Sequence, residues 1–120
     1  FAMVRDALEE ARATAPVDGV FATDDLAAAE VLEWARTRNL SVPTDLAIIG
    51  FDGTETMRRA LPHLATIRQP IEKIAQAAVS ILLDQIEGKA SRSSSDEAGA
   101  PHAQTVEFSG TLIQGRSINA

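Results

Sequence analysis

The sequence predicts an α/β fold with a parallel sheet, and three observations lead to this prediction. Segments whose apolar residues recur at helical spacing alternate with short apolar runs along most of the chain. One run, LAIIG at Leu46–Gly50, is uninterrupted, which is typical of a strand covered on both faces. Polar residues follow the runs directly, as in strand-turn-helix units. The alternating order of helices and strands indicates right-handed crossovers between parallel strands.

The first half of the chain contains two predicted helices and two predicted strands. Apolar spacing predicts a helix over 2–14, and the short run at 17–22 predicts a strand. A second helix follows Asp24, which is its expected N-cap because a carboxylate there accepts from free backbone N–H groups at the positive end of the helix. Asn39 is the expected left-handed residue after this helix. The run at Leu46–Gly50 then forms a central strand.

The second half adds three predicted elements: a short helix at Glu55–Ala60, an extended segment at Ala65–Arg68, and a long helix that begins with Pro70 and stops at Gly88. Residues 89–104 are poor in large apolar side chains, so we expect a mobile loop there. Residues 105–114 alternate loosely in polarity and predict one or two short strands, interrupted at Gly110.

Composition and charge limit the functions open to this segment. The 120 residues, 45% hydrophobic and 23% charged, have the composition of an ordinary soluble domain with one modest core. The formal charge of -6 would repel a phosphate backbone, so we do not expect these residues to contact DNA. Cysteine is absent, which fits a reducing compartment. Because the chain begins with Phe1 inside a helical pattern, we expect a fragment of a longer protein.

Two polar clusters follow the first two predicted strands and are the candidate binding residues. Thr23, Asp24 and Asp25 come after the first strand, and Asp52 and Gly53 come after the second. Ligands of parallel sheets bind just beyond the carboxyl ends of strands, so both clusters should face one edge. Asp24 could serve only as a helix cap, whereas Asp52 has no obvious structural role. Carboxylates accept hydrogen bonds strongly from the hydroxyl groups of sugars or nucleosides.

Other chemistries leave weaker signals in the sequence. The aspartates of the two clusters could form a Mg²⁺ site with a phosphoacceptor, but no lysine stands at a strand end to pair with it. His63 and His102 lie beside prolines without a serine or cysteine motif, so a catalytic triad has little support. We expect Trp34 to serve the core or an interface, and Arg58 and Arg59 to form a solvated helix face. We therefore expect a small-molecule site, with no catalysis, no cofactor and no metal.

A specific series of motifs runs through the chain. It comprises FATDD before a helix, SVPTD, the strand AIIG with FDG after it, and PHLATIRQP before a long helix. With these motifs the chain resembles the C-terminal half of the effector domain of LacI/GalR-family transcription regulators, from Val20 to Gly88. The resemblance extends more loosely to Thr111–Ser117, where LIQGRS stands in place of the family's L-V-x-R-x-S.

The resemblance implies a periplasmic-binding-protein-like domain of type I, in which two α/β subdomains close over an effector. Residues 1–62 would be part of the C-terminal subdomain, and residues 105–120 its returning strand and tail. Residues 63–88, or more narrowly Ile67–Gly88, would be the crossover strand and helix of the N-terminal subdomain, with a flexible loop at 89–104. The helix-turn-helix that binds operator DNA would lie upstream.

Five residues would contact the effector, a sugar or nucleoside-like molecule, if the resemblance holds. Asp52 matches the family aspartate that hydrogen-bonds the ligand, and Thr23 matches a position, often Asn, that does the same. Gln69 and Ile71 fall at the crossover near the pocket, and Asp24 matches an acid whose contribution varies.

The family further implies a cytoplasmic homodimer. Its interface would use the helix after Asp24 and the segment 57–61. The expected contact residues are Leu26, Ala28, Met57 and Leu61. Symmetry would make such a patch self-complementary.

Three positions depart from the family pattern. Gly53 replaces the second acid of G-F-D-D, which puts the contacts of that loop in question. Ala65 replaces the first Thr of L-T-T, and Gly115 stands where the family often has Arg. We expect the last two departures to be peripheral.

The nearest alternative is a periplasmic sugar-binding protein of an ABC transporter, which shares the fold and a GFDGT-like segment. The VPTD and IRQP segments favour the regulator. A helix-turn-helix upstream would identify the regulator, and a signal peptide would identify the transport protein.

Overall fold

The structure is a computed structural model that describes residues 2–87 and 105–119. Its elements, in chain order, are α1 (Ala2–Thr14), β1 (Gly19–Phe21), α2 (Asp25–Thr37), β2 (Ala47–Asp52), α3 (Glu55–Ala60), β3 (Ala65–Arg68), α4 (Ile71–Ile86) and β4 (Thr111–Ile113). The chain divides into two compact units, of which the first is 1–69 with 110–120 and the second is 70–109. The predicted loop at 89–104 lies outside the described residues.

The first unit is built on a four-stranded sheet with the order β1-β2-β3-β4. β2 pairs in parallel with β1 on one side and with β3 on the other, and β4 pairs antiparallel with β3. The prediction of an α/β fold with β2 as a central parallel strand is confirmed. Because β1, β2 and β3 point the same way, their carboxyl ends form one edge of the sheet. We call this the carboxyl edge, and it comprises Thr23, Asp24, Asp52, Gly53 and Gln69.

One face of the sheet carries the hydrophobic core. Ile48 of β2 is completely buried, and Ala28, Val31 and Ala35 of α2 pack in the same cluster. Leu8 of α1 joins them. Ala28, Val31 and Ala35 recur every three or four positions, so one apolar face of α2 is removed from water.

The other face of the sheet is less covered. Ile49, Phe51 and Ile67 are only half-buried, and Phe21 is exposed, although all four project from one side of neighbouring strands. The buried core lies mainly on the face of Ile48, although Ala65, which is paired with Ile49 on the other face, is also fully buried. The expectation that LAIIG is covered on both faces stays a prediction.

Trp34 joins the first two helices. Its indole Nε1 donates a 2.8 Å hydrogen bond to Oε1 of Glu9, and the same carboxylate pairs with Arg38. The guanidinium of Arg12 lies 5.7 Å from the ring centroid, within reach of a cation-π contact. The Trp34 side chain is buried, so the expectation that it serves the core is confirmed.

Several predicted details of the helices are also confirmed. Asn39 has a φ of 54° directly after Arg38, the C-cap of α2, as a left-handed residue at a helix end should. Arg58 and Arg59 are exposed and each lies 3.2 Å from a carboxylate oxygen of Glu55. These arginines form a solvated face of α3, as expected.

At the amino ends of the strands, Ser117 joins β2 to β3. Its buried hydroxyl donates to the carbonyl of Ile48 at 2.6 Å and accepts from the backbone N–H of Ala65 at 2.8 Å. The chain reaches this position through Gly115, where a Cβ would overlap backbone atoms of residues 63–65. Gly115 and the fully buried Ala65 are therefore not peripheral, contrary to expectation, because the segment approaches β3 too closely for a side chain at 115.

The second unit contains α4. Pro70 is its N-cap rather than its first helical residue, one position from the prediction. No side chain of α4 is buried. The large apolar side chains that are exposed are Ile71, Val79, Leu82, Leu83 and Ile86. α4 thus carries an apolar surface in the described part of the chain.

Two predicted boundaries differ from the structure. The resemblance implies a domain boundary between residues 62 and 63, but β3 pairs with β2, so the crossover strand belongs to the first unit and the division falls after Gln69. The one or two strands expected over 105–114 reduce to β4 at Thr111–Ile113, which pairs with β3. The assignment of α4 to another subdomain of a longer protein stays a proposal.

Candidate functional site

The carboxyl edge brings the two predicted polar clusters to the same end of the sheet. Thr23 and Asp24 follow β1, and Asp52 ends β2. Gln69 directly follows β3, the next strand in the sheet. Parallel pairing alone produces this arrangement, because residues that follow parallel strands meet at one edge.

Asp24 is the N-cap of α2. Its φ of -155° is extended, and its Oδ1 accepts a 2.7 Å hydrogen bond from the backbone N–H of Ala27. The predicted N-cap is confirmed. Thr23, one residue earlier, is exposed at the same edge.

Asp52 is held in an unusual backbone conformation. Its φ is 103°, a region that side chains rarely adopt, and the next residue, Gly53, has a φ of 60°. Such a conformation costs about 1–3 kcal/mol and persists only where the surroundings enforce it, frequently at functional sites. Gly53 is required, since a Cβ there would lie 2.8 Å from both Cα and Cβ of Arg68. In this chain a second acid at position 53 would therefore crowd β3.

Gln69 fixes the side chain of Asp52. Its Nε2 donates a 2.5 Å hydrogen bond to Oδ1 of Asp52, and its backbone N–H donates to the Asp52 carbonyl at 3.2 Å. Both residues are half-buried. Among residues 2–87 and 105–119, the other carboxylate oxygen, Oδ2, has no hydrogen-bond partner. The site thus presents an oriented acceptor.

Asp25, the neighbour of the helix cap, is buried at 2% exposure. Its Oδ2 accepts a 3.0 Å hydrogen bond from the backbone N–H of Gly53, and its Oδ1 accepts a 2.5 Å hydrogen bond from the hydroxyl of Thr66. Its place after β1 predicts Asp25 to be one of the candidate binding residues. The structure instead turns it toward the sheet, because it lies three residues before Ala28 on the buried face of α2.

An aromatic pair lies near the carboxyl edge. Phe21 ends β1, and its ring meets that of Phe51 edge-to-face, with centroids 6.2 Å apart and an interplanar angle of 85°. Phe21 is exposed. Sequence reasoning missed this pair, although Phe51 immediately precedes Asp52 and Phe21 stands two residues before Thr23. An apolar surface beside a few oriented polar groups is typical of small-molecule sites.

The remaining predicted residues differ in accessibility. Ile71 begins α4 in the second unit and is exposed. Leu26 is exposed on α2, while Met57 and Leu61 are half-buried. Ala28 has 0% exposure in the core, so it cannot contact a partner and its assignment to a dimer interface is wrong. It faces β2 because it shares the buried face of α2.

Two cavities of the first unit lie away from the carboxyl edge. One of about 370 Å³ is lined by residues of α1 and α2, including Arg12 and Trp34. The other, of about 460 Å³, is lined largely by apolar side chains around Leu61 and Leu64. Neither is lined by a residue of the carboxyl edge, so the candidate site rests on its polar chemistry and strand geometry.

Over 2–87 and 105–119, no three or more histidine and acidic side chains come together as a metal site would require. Over the same ranges, none of the helices combines the length and apolar character that crossing a membrane demands.

A family model of the periplasmic binding protein-like domain matches residues 1–118. The chain belongs to this domain family. Two curated proteins are similar to this chain in sequence. The sucrose operon repressor of Streptococcus mutans is 43% identical over 70 residues, which are 58% of this chain and 22% of the repressor. The HTH-type transcriptional repressor PurR of Erwinia tasmaniensis is 34% identical over 99 residues, which are 82% of this chain and 26% of that protein.

A solved structure shares the fold. The LacI family transcriptional regulator from Arthrobacter sp. FB24 in complex with lactose has a TM-score of 0.67 and 27% identity, over 97% of this chain and 39% of that one. These similarities confirm the resemblance to LacI-family effector domains. This chain spans about a quarter of the length of the two curated relatives.

Proposed function

We propose that this domain is the effector-binding part of a LacI-family transcription regulator and that its carboxyl edge binds a sugar or nucleoside-like molecule. One observation carries the proposal: Asp52 sits in a strained conformation at the end of the central strand, with Oδ1 held by Gln69 and Oδ2 without a partner among the described residues. An oriented carboxylate oxygen is suited to accept from a ligand hydroxyl.

The neighbouring residues support a polyhydroxylated ligand. The exposed hydroxyl of Thr23 can both donate and accept, and the carboxylate of Asp24 adds a second acceptor at the same edge. Phe21 and Phe51 supply apolar surface. A sucrose operon repressor among the relatives and a related regulator in complex with lactose favour a sugar.

In the full-length regulator, effector binding would change the affinity for operator DNA through a helix-turn-helix outside this chain. The formal charge of -6 agrees with a DNA contact made elsewhere. We further propose that the regulator is a cytoplasmic homodimer and that it catalyses no reaction. Asp24 and Ile71 remain proposed contacts of the effector.

The test uses the full-length protein and a panel of sucrose, lactose, ribose and adenosine. A ligand at about 100 times its Kd should stabilise the folded state by about 2.7 kcal/mol, which a thermal melt detects. The same ligand should alter the binding of genomic DNA fragments selected by the protein. Sugar binding by a protein that selects no DNA would support the transport alternative, and failure of both measurements would refute the proposal.

A further inference from the structure

We propose that Asp25 is a positioning residue, whose buried carboxylate holds the carboxyl edge in the shape that the effector requires without touching the effector. This inference rests on the proposed function of that edge. It assigns to Asp25 a role in binding affinity that goes beyond its contribution to folding.

The contacts of Asp25 connect three segments of the fold. Asp25 is the first residue of α2, and its two carboxylate oxygens accept separately from the Gly53 N–H at 3.0 Å and from the Thr66 hydroxyl at 2.5 Å. The side chain is 2% exposed. A buried carboxylate is stable only when it is hydrogen-bonded, so these contacts define one arrangement of the three segments.

Each of these segments also carries a candidate effector contact. Asp25 follows Asp24 directly, and Gly53 follows Asp52. Thr66 lies on β3, which leads into Gln69. Movement of any segment would therefore displace a residue of the carboxyl edge, and a displacement of about 1 Å is enough to weaken a preorganised site severely.

The strained turn makes this dependence strongest at Asp52. Positive φ values at Asp52 and Gly53 persist only if the surroundings enforce them. The hydrogen bond from the Gly53 N–H to Asp25 is a direct restraint on that turn. The absence of a side chain at Gly50 of β2 leaves space for the Asp25 carboxylate, because a Cβ there would overlap Oδ1 of Asp25.

Ser117 provides a matched control at the other end of the same strands. Its buried hydroxyl also makes two hydrogen bonds, to the carbonyl of Ile48 on β2 and to the N–H of Ala65 on β3. Asp25 and Ser117 are 2% and 4% exposed. Replacing either by Ala removes two buried hydrogen bonds, but only the Asp25 substitution releases the carboxyl edge.

The experiment compares Asp25→Ala, Asp25→Asn and Ser117→Ala in the full-length protein. Affinity for sucrose, lactose, ribose and adenosine is measured by calorimetry at a temperature where circular dichroism shows every variant folded. We expect Asp25→Ala to weaken binding by roughly tenfold or more, because the site is no longer preorganised. Asp25→Asn keeps an acceptor for Gly53 and should restore most of the affinity. Ser117→Ala should lower the melting temperature and leave the affinity unchanged.

Hydrogen exchange of the Gly53 amide gives a second measurement that needs no ligand. It should accelerate in Asp25→Ala and stay slow in Ser117→Ala. An unchanged rate in Asp25→Ala overturns the inference whether or not a ligand binds. If Asp25→Ala does not fold, Thr66→Val removes one of the two hydrogen bonds and is measured in its place, with the same two criteria.

The outcomes separate the inference from the proposed function. If the wild type binds none of the four compounds, the proposed ligand class is wrong, and Gly53 exchange alone decides whether Asp25 restrains the turn. If Asp52→Ala abolishes binding while Asp25→Ala binds as tightly as the wild type, the proposed function stands and the positioning role is wrong.

Discussion

The side-chain amide of Gln69 donates a 2.5 Å hydrogen bond to Oδ1 of Asp52, while the Gln69 backbone N–H donates to the Asp52 carbonyl at 3.2 Å. The two residues stand at the ends of adjacent parallel strands, β2 and β3. Because Gln69 restrains both the side chain and the backbone of Asp52, the second carboxylate oxygen has a fixed direction. A fixed acceptor loses little entropy when a ligand hydroxyl binds to it.

Substituting Asp52 tests whether this acceptor binds the effector. Asp52→Ala should weaken sugar binding to the full-length protein by about 2 kcal/mol or more, because a ligand hydroxyl in a closed cleft loses its partner. Asp52→Asn tolerates a positive φ better than Ala and keeps one of the two acceptor oxygens, so it should weaken binding less. Calorimetry with sucrose and lactose measures both, with the exposed Asp45→Ala as control. Equal affinity of wild type and Asp52→Ala would exclude the contact.

Most of the fold could be predicted because its signals are local. Helical spacing predicted α1, α2 and α4, and the apolar run with its flanking polar residues predicted β2 as the central strand. The polar residues after β1 and β2 meet at one edge for the same reason. Sequence also indicated Asp24 as a cap, since a cap depends on residues within one turn of the helix.

Other features depend on contacts between distant segments and left no local signal. Asp25 contacts Gly53 and Thr66, which lie 28 and 41 residues away. The local sequence therefore could not show whether Asp25 is buried or is a second exposed polar residue at the start of the helix. Ala28 was predicted at an interface although the rotation of α2 points it at β2. Gly115 was predicted to be peripheral. Its neighbours in the sequence could not show its approach to β3, because β3 lies far earlier in the chain.

Glycine substitutions test that close approach. Gly115→Ala should destabilise the protein by about 2 kcal/mol or more, since its Cβ would overlap backbone atoms of residues 63–65 that have no room to move. Gly19→Ala is the matched control, because the nearest atom to its Cβ is the Ala47 carbonyl oxygen at 3.9 Å. Its effect should stay within about 0.5 kcal/mol. Urea denaturation of both variants gives the comparison, and similar midpoints would contradict the packing at Gly115.

The exposure of Leu26 tests the proposed homodimer. Leu26→Glu should shift the full-length protein from dimer toward monomer in sedimentation velocity, because it puts a charge into an apolar contact. Ala28→Glu should instead unfold the domain, since Ala28 has 0% exposure. The exposed Glu33→Lys on the same helix is the control for a changed surface charge. A dimer unaffected by Leu26→Glu would place the interface elsewhere.

The apolar surface of α4 should make the 120-residue chain associate when it is produced alone. Ile71, Leu82 and Ile86 recur near one face of the helix and are 55% to 72% exposed. At about 25 cal/mol per Å², several hundred Å² of such surface represents several kcal/mol, comparable with the stability of a small domain. Monomers seldom leave a patch of this size in water. We therefore expect light scattering after size exclusion to give a mass above that of one chain. Leu82→Glu with Ile86→Glu should restore the monomer, whereas Ser80→Glu, on the opposite face of the helix, should not. A monomeric wild-type chain would show that the surface of α4 drives no association.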